Sequence, residues 1–351
     1  HSLDMDVTIA SAPGWSSTGG KWVKPEDAVK KLEWRSVDTR GGKVSVQLPE
    51  LYNVVGPYQD YHTDNDRIEI KPYGKDLYVL AVRLPYSDKS MKVLAERIEE
   101  SDREITVQFR KPQTIKALTL KCMTMSDRPR SGKSDCKNVL ECSDDGKKWR
   151  KVCDIEPTVL PYLTIDIPQT CALFFRARGE KLMSLDLFTV SKVNHSQELG
   201  GFGIIHDFWK YHTPYSKDAI RTSDIIDLTD RMTADGRLEC SLPAGRWRIY
   251  RFGWSITGKV NHPASPEATG LEVDKLDPDA WMRYFHTYVD LYKEAAGGML
   301  GEKGIRYLLV DSYEAGAYTW TPRLAEEFKS RRGYDLVPWL PVLAGEIIGS
   351  S

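Results

Sequence analysis

No apolar run in the chain approaches the ~20 residues that a membrane-spanning helix requires. Charge of either sign is not in excess. Forty-nine Lys and Arg stand against 50 Asp and Glu, so no basic footprint points to nucleic acid and no polybasic arm to a membrane. No pair of cysteines has CxxC spacing, which argues against a zinc ribbon. Signatures of serine hydrolysis (GxSxG), of nucleotide phosphates (the P-loop) and of dinucleotides (GxGxxG) are missing, so no organic cofactor is expected. The first residues carry neither an initiator Met nor a signal peptide. We read the chain as an interior piece of a longer protein, so the missing leader says nothing about location.

What remains is an ordinary globular composition, 41% hydrophobic and 28% charged, in a length that suits two or three domains. Aromatics make up 10% of it, mildly favouring a carbohydrate site, because rings stack on apolar sugar faces, although large rings serve cores equally well. Five of the six cysteines (Cys122, Cys136, Cys142, Cys153, Cys171) fall in one strand-rich segment, where buried free thiols are the default and one disulfide among the five stays open.

The most informative stretch is Gly304–Trp320. Ile305–Val310 is a short continuous apolar run, the pattern of a parallel strand buried on both faces. It ends in Asp311-Ser-Tyr-Glu314, and in α/β folds that end of a strand carries the chemistry. A strand over 3–10 leads likewise into the glycine-rich loop 11–20 with Trp15 at its centre, followed by a short helix over 25–31. Trp247–Thr257 leads into the loop 257–270 and a helix capped by Asp277 with Pro278 first, its apolar face Trp281, Phe285, Tyr288 and Tyr292. Another helix spans about 322–332. Three strand–loop–helix units are part of an eight-unit barrel, not all of one.

The remaining segments read as β. A hairpin is expected between 33–39 and 43–48 about Gly41-Gly42, and strands at 67–71 and 77–84. Residues 90–193 carry short strands at 105–109, 117–122, 138–142, 148–152, 163–167, 173–178 and 185–190, the spacing of a sandwich. Asp145-Gly146 marks a hairpin between two of them. Pro243-Ala-Gly245 is a turn between 237–242 and 247–257. The expected class is therefore α/β plus all-β. A partial (β/α) barrel begins at 1–35, passes through a β-rich excursion at 36–89 and a sandwich insert at 90–193, and resumes with β-hairpins over 194–351. His206 and His212, six apart, are more in keeping with polar packing than with a metal pair.

Two resemblances follow from these residues. Glu141-Cys-Ser-Asp-Asp-Gly-Lys-Lys-Trp149 resembles a hairpin of discoidin-like sandwiches, which in some proteins bind sugars and in others are structural. Four ordered segments resemble glycoside hydrolase family 106: Ala12-Pro-Gly-Trp-Ser-Ser-Thr-Gly-Gly20, His262 to Leu276, Val310-Asp-Ser-Tyr-Glu-Ala-Gly316, and Phe328 to Pro341. Its characterised members are α-L-rhamnosidases of bacteria that degrade plant polysaccharides.

That resemblance implies inversion by two carboxyl groups, with Glu314 the general acid and Asp311 orienting the sugar or tuning Glu314. It implies sugar contacts by Trp15, Ser16, His262, Glu267, Glu272, Tyr313 and Trp320. It also implies calcium, with Glu267, Glu272 and Asp274 (and Asp311) as candidate oxygen donors. The substrate would be an oligosaccharide or polysaccharide, and the location periplasmic or extracellular. After Gly316 the run Ala317-Tyr-Thr319 departs from the more amide-rich family pattern, which leaves sugar specificity open. No residue matches the family's second catalytic glutamate, so the base is expected beyond Ser351. The competing class is a carbohydrate-binding or scaffold protein that works through the 90–193 sandwich.

Overall fold

The computed structural model describes residues 5–10, 18–51, 70–85, 97–122, 138–156, 160, 162–203, 208–213, 216–217, 219–309 and 315–349. These residues are mostly β-strand with few helices. The chain divides into two compact units. One comprises His1–Glu33, Leu51–Asp76 and Gly253–Tyr334; the other comprises Trp34–Glu50, Leu77–Phe252 and Asp335–Ser351.

In the first unit, β1 (Val7–Ala10) pairs in parallel with β12 (Ile305–Leu309), with Ala10 opposite Leu309. The expected strand is therefore present over 305–309, with Val310 outside the described residues, but its burial differs from expectation. Tyr307 is 49% exposed and Leu309 52%, so this sheet is not covered on both faces among the described residues. Helix α2 (Pro278–Ala295) begins as its sequence dictates. The Asp277 carboxylate accepts from the Asp279 and Ala280 amides, Pro278 occupies the first turn, and Gly297 and Gly298 end the helix with positive φ. Its buried stripe is Ala280, Tyr284 and Tyr288; of the expected face Tyr288 is buried, whereas Trp281 and Phe285 are only half-buried. Tyr284 stacks on Tyr288 at 5.6 Å and Trp22 packs on Tyr288 at 6.3 Å, so a ladder of phenols and an indole sets the face, not the most apolar residues. Helix α3 (Leu324–Arg332) ends at Gly333, φ 79°.

A helix expected over 25–31 is only a 3-10 turn, Pro25–Asp27. By Lys30 the backbone is already β, because the Lys30 carbonyl accepts from the Thr319 amide at 3.1 Å. Strand β2 (Lys30–Gln47) then runs without a break through the glycine pair at which a hairpin was expected. The reason is close approach. A Cβ on Gly41 would lie 1.9 Å from the Pro243 carbonyl oxygen of β11 (Arg237–Ile256), so glycine lets two strands pass rather than turn. Strand β11 likewise continues through Pro243-Ala-Gly245, where the Trp247 indole donates to the Pro243 carbonyl at 2.9 Å. With β3 (Gly74–Arg83) and β10 (Ile225–Asp227) these strands form a sheet of order β10-β3-β11-β2. Of the strand expected over 67–71, residues 67–69 lie outside the described residues and 70–71 are not strand.

In the second unit, six strands form one antiparallel sheet. They are β4 (Arg97–Glu100), β5 (Glu104–Cys122), β6 (Asn138–Ser143), β7 (Arg150–Ile155), β8 (Tyr162–Arg178) and β9 (Leu182–Phe188). Each of the pairs 105–109/117–122 and 163–167/173–178, read as separate strands, is one long strand with register shifts where a turn was expected. Ile105, Phe109, Leu118, Leu140, Phe175 and Leu187 fill this unit's core. Burying each such side chain contributes about 1.5–3 kcal/mol. The Asp-Gly turn joins β6 to β7 as its sequence predicts, with Gly146 at φ 69°. Asp145 accepts from the Lys147 and Lys148 amides at 2.8 Å, which draws its pKa down. Helix α1 (Ser196–Leu199) follows β9. Cys142, Cys153, Cys171 and Cys240 are free thiols; Cys136 lies outside the described residues.

Candidate active site

The parallel pairing of β1 and β12 brings the C-terminal ends of two strands side by side, Ala10 against Leu309. In sequence these ends lead into 11–17 and 310–314. Trp15, Ser16, Asp311, Tyr313 and Glu314 belong to those two segments and lie outside the described residues. What the structure describes is how the far side of each segment is anchored.

Past 17, the chain enters a ladder with the 270s. The Gly20 amide donates to the Leu271 carbonyl and the Val273 amide to that of Thr18, both at 3.1 Å. Gly19 has no room for a side chain, since a Cβ would meet the Leu271 carbonyl oxygen at 2.7 Å. Glu272 is wholly buried, and its carboxylate accepts from the Thr18 hydroxyl and the Lys275 ammonium. Burial lowers the pKa of Lys275, and the Glu272 charge opposes that.

Asp274, two residues on, points into the interior and is equally buried. It accepts from the Leu276 amide at 3.0 Å and from Lys30 Nζ at 3.4 Å. Lys30 is itself fully buried, with its ammonium 5.2 Å from the centre of the Trp254 ring and donating to the Ala28 carbonyl at 2.8 Å. Desolvation moves both members toward their neutral forms, raising Asp274 and lowering Lys30, while their mutual attraction resists.

Past 314, Ala315 is buried and Gly316 takes φ 73°. The chain then docks on the start of β2. The Thr319 amide donates to the Lys30 carbonyl, and the Thr319 hydroxyl accepts from the Leu32 amide at 2.8 Å. Trp320 bridges to Lys30 and is 3% exposed, so its ring is packed rather than presented to solvent.

His262 and Glu267 share the loop 261–270. It is closed by paired bonds between Asn261 and Gly270, one of them from the Gly270 amide to the Asn261 side chain at 2.8 Å. His262 is half-buried, joined to Pro263 by a cis peptide, and Glu267 is exposed near the loop's tip. Bonds from its own amide and from Ser265 draw the Glu267 pKa down. The structure therefore gathers Glu272, Asp274 and Trp320 about Lys30 and Thr18, and carries Glu267 on a surface loop.

Sequence reasoning missed Lys30, Thr18, Lys275 and Thr319. Lys275 could have been found, three residues after Glu272 inside a motif already singled out. Lys30 carried no signal, since a lysine beside another lysine reads as solvated surface.

As a calcium site the described acids fit poorly. Glu272 and Asp274 are each neutralised by an ammonium, Glu267 is exposed, and no group of three or more His, Cys, Asp or Glu among the described residues could hold a metal. His206 lies outside the described residues and His212 is exposed. No described helix is long and apolar enough to cross a membrane.

The fold matches that of a solved rhamnosidase from Novosphingobium sp. PP1Y with a TM-score of 0.83 and 33% identity, over 99% of this chain and 35% of that one. A Formosa agariphila protein named "Putative beta-glucuronidase" is 39% identical over 135 residues, which are 38% of this chain and 12% of that protein. The chain thus spans about a third of the one relative and an eighth of the other. A model of the α-L-rhamnosidases of glycoside hydrolase family 106 matches residues 1–351, and the chain belongs to that family.

Proposed function

We propose that the whole protein hydrolyses α-L-rhamnosides, or a related deoxysugar linkage, in plant polysaccharides, with inversion at the anomeric carbon. The family match over the whole chain carries this reading. The side-by-side strand ends at Ala10 and Leu309 support it, because they start two segments holding Trp15, Ser16, Asp311 and Glu314 from neighbouring points of one sheet. In the proposed reaction Glu314 protonates the departing glycosidic oxygen as the bond to the anomeric carbon breaks. A second carboxylate, ~6.5–9.5 Å away, takes a proton from the attacking water. Asp311 orients the sugar or tunes Glu314. Trp15, Ser16, His262, Glu267 and Tyr313 are proposed sugar contacts, while Glu272 and Trp320, being buried, are proposed as packing support for the site. Calcium is a proposal resting on the family alone, and no step is routed through it.

The setting proposed is a (β/α) barrel, to which β1, β12, α2 and α3 contribute, with a discoidin-like module at 90–193. The enzyme is proposed to work in the periplasm or outside the cell. Aryl α-L-rhamnoside turnover by the whole protein tests the activity. Glu314→Gln is expected to lower kcat/KM on a phenyl rhamnoside by about 10²–10⁴-fold, and an unchanged rate removes the acid assignment. NMR of the first-formed product is expected to show the β anomer; an α anomer overturns inversion.

A further inference from the structure

Three separate stretches of chain meet at one buried ion pair. The first is the start of β2, the second is 271–277, and the third is 315–321. Lys30 belongs to the first and Asp274 to the second. The third hangs on the first through the Lys30 carbonyl, which takes the Thr319 amide at 3.1 Å and the Trp320 amide at 3.4 Å. The Leu32 amide adds a bond to the Thr319 hydroxyl. The Asp274 amide in turn donates to the Asp27 carbonyl at 2.8 Å, so the second stretch is tied to the first on both sides of the pair.

The pair costs stability to keep, because two ions fully removed from water regain their hydration only through excellent geometry. At 3.4 Å the Lys30–Asp274 contact is longer than a good charged hydrogen bond. An apolar pair of equal volume would hold the core at least as well. What the charges add is direction: the Lys30 side chain is aimed by Asp274 and the Ala28 carbonyl, which fixes the strand whose carbonyl and amide grip Thr319. Thr319 lies five residues after Glu314, and the intervening Ala315 is already buried.

We propose that the Lys30–Asp274 pair is a positioning device for the general acid, acting through Thr319 on the chain that carries Glu314. This rests on the assignment of the acid role to Glu314 above. Lys30 and Asp274 are thus positioning residues, not catalytic ones. A displacement near 1 Å costs an enzyme up to about 100-fold, and here that loss falls on proton delivery alone.

Leaving groups separate this role from a merely structural one. A 2,4-dinitrophenyl rhamnoside departs with little help from an acid, whereas a phenyl rhamnoside needs the proton. The whole protein is compared with Asp274→Asn, with the volume-matched double variant Lys30→Met/Asp274→Leu, and with Thr319→Val. Thermal melts report folding in each case. Expected is a fall of about 10-fold or more in kcat/KM on the phenyl substrate with less than about threefold on the dinitrophenyl one. Glu314→Gln serves as the reference for that selectivity. Equal losses on both substrates, or no loss in any folded variant, overturn the positioning role while leaving the acid assignment intact. Absence of leaving-group selectivity in Glu314→Gln itself overturns the acid assignment, and the positioning role with it.

Discussion

Glu346 and Arg248 meet at 2.7 Å in a site where the carboxylate is buried. The Tyr250 hydroxyl donates to the same Glu346 oxygen at 2.7 Å, and the Lys192 ammonium lies 3.0 Å from the other. Arg248 also grips Asp38 at 2.7 and 3.0 Å. Burial alone would push the Glu346 carboxyl up; the attraction of Lys192 and Arg248 and the Tyr250 bond outweigh it and hold the pKa at about 2. The folded value lies below the unfolded one. The stabilisation is therefore complete above about pH 4.5 and is lost as pH falls from there toward 2. The gap corresponds to roughly 3 kcal/mol. Glu346→Gln is expected to lower the urea midpoint strongly at pH 7 and much less at pH 3. An equal deficit at both values contradicts the linkage.

The glycine pair of β2 provides a second prediction. Gly41→Ala drives a methyl into the Pro243 carbonyl and is expected to cost about 3 kcal/mol. Gly42→Ala meets nothing within 4 Å and suffers only its positive φ, about 1–2 kcal/mol. Equal tolerance of the two, measured by urea unfolding, would restore the hairpin that the sequence suggested.

Tyr284 is 5% exposed, and its hydroxyl has no hydrogen-bond partner among the described residues. Burial raises its pKa far above the usual phenol range. Tyr284→Phe removes an unpaired polar group and keeps the stacking on Tyr288. The variant is expected to be neutral or more stable by up to about 1 kcal/mol. A clear loss of melting temperature would reveal a partner for the hydroxyl.

Trp149, which ends the motif that resembles a discoidin-like hairpin, has the Arg176 guanidinium 4.0 Å from its ring centre. Arg176 is fixed in turn by Glu141, at 2.6 Å. A ring face held by an arginine is not offered to a sugar. Trp149→Ala is expected to lower the melting temperature, through loss of a contact worth about 0.5–2 kcal/mol, without changing retention in polysaccharide-containing gels. Lost retention would revive the reading of this unit as the carbohydrate-binding part.

Local rules were readable wherever one residue dictates the backbone. Asp277-Pro278 started α2, Gly333 ended α3, and Asp145-Gly146 turned β6 into β7. Long-range approach was not readable. Gly41-Gly42 and Pro243-Ala-Gly245 carry turn chemistry, yet both strands run on through them, with Gly41 passing close to the Pro243 carbonyl, and nothing local says so. The site shows the same split. The motif at 262–276 stood out as a string of acids and small residues. That Glu272 and Asp274 would be buried against Lys275 and Lys30 depends on partners, one of them in β2, which no spacing rule connects. The buried thiol at Cys142 was legible from its strand, whereas Cys171 is exposed and Cys153 half-buried, which strand pattern alone does not foretell.

The pairing of β1 with β12 has a consequence for how the protein is made. Val7 finds Ile305 only after about 300 further residues have been joined, which at roughly 5–20 residues per second takes some 15–60 s. Throughout that interval the backbone edge of β1 has no partner strand to pair with. Closing so long a loop also makes this contact one of the slowest to form. The sheet from which the proposed catalytic segments emerge is thus a late product of synthesis, and a ribosome stalled before residue 305 holds a chain in which those segments cannot yet be neighbours.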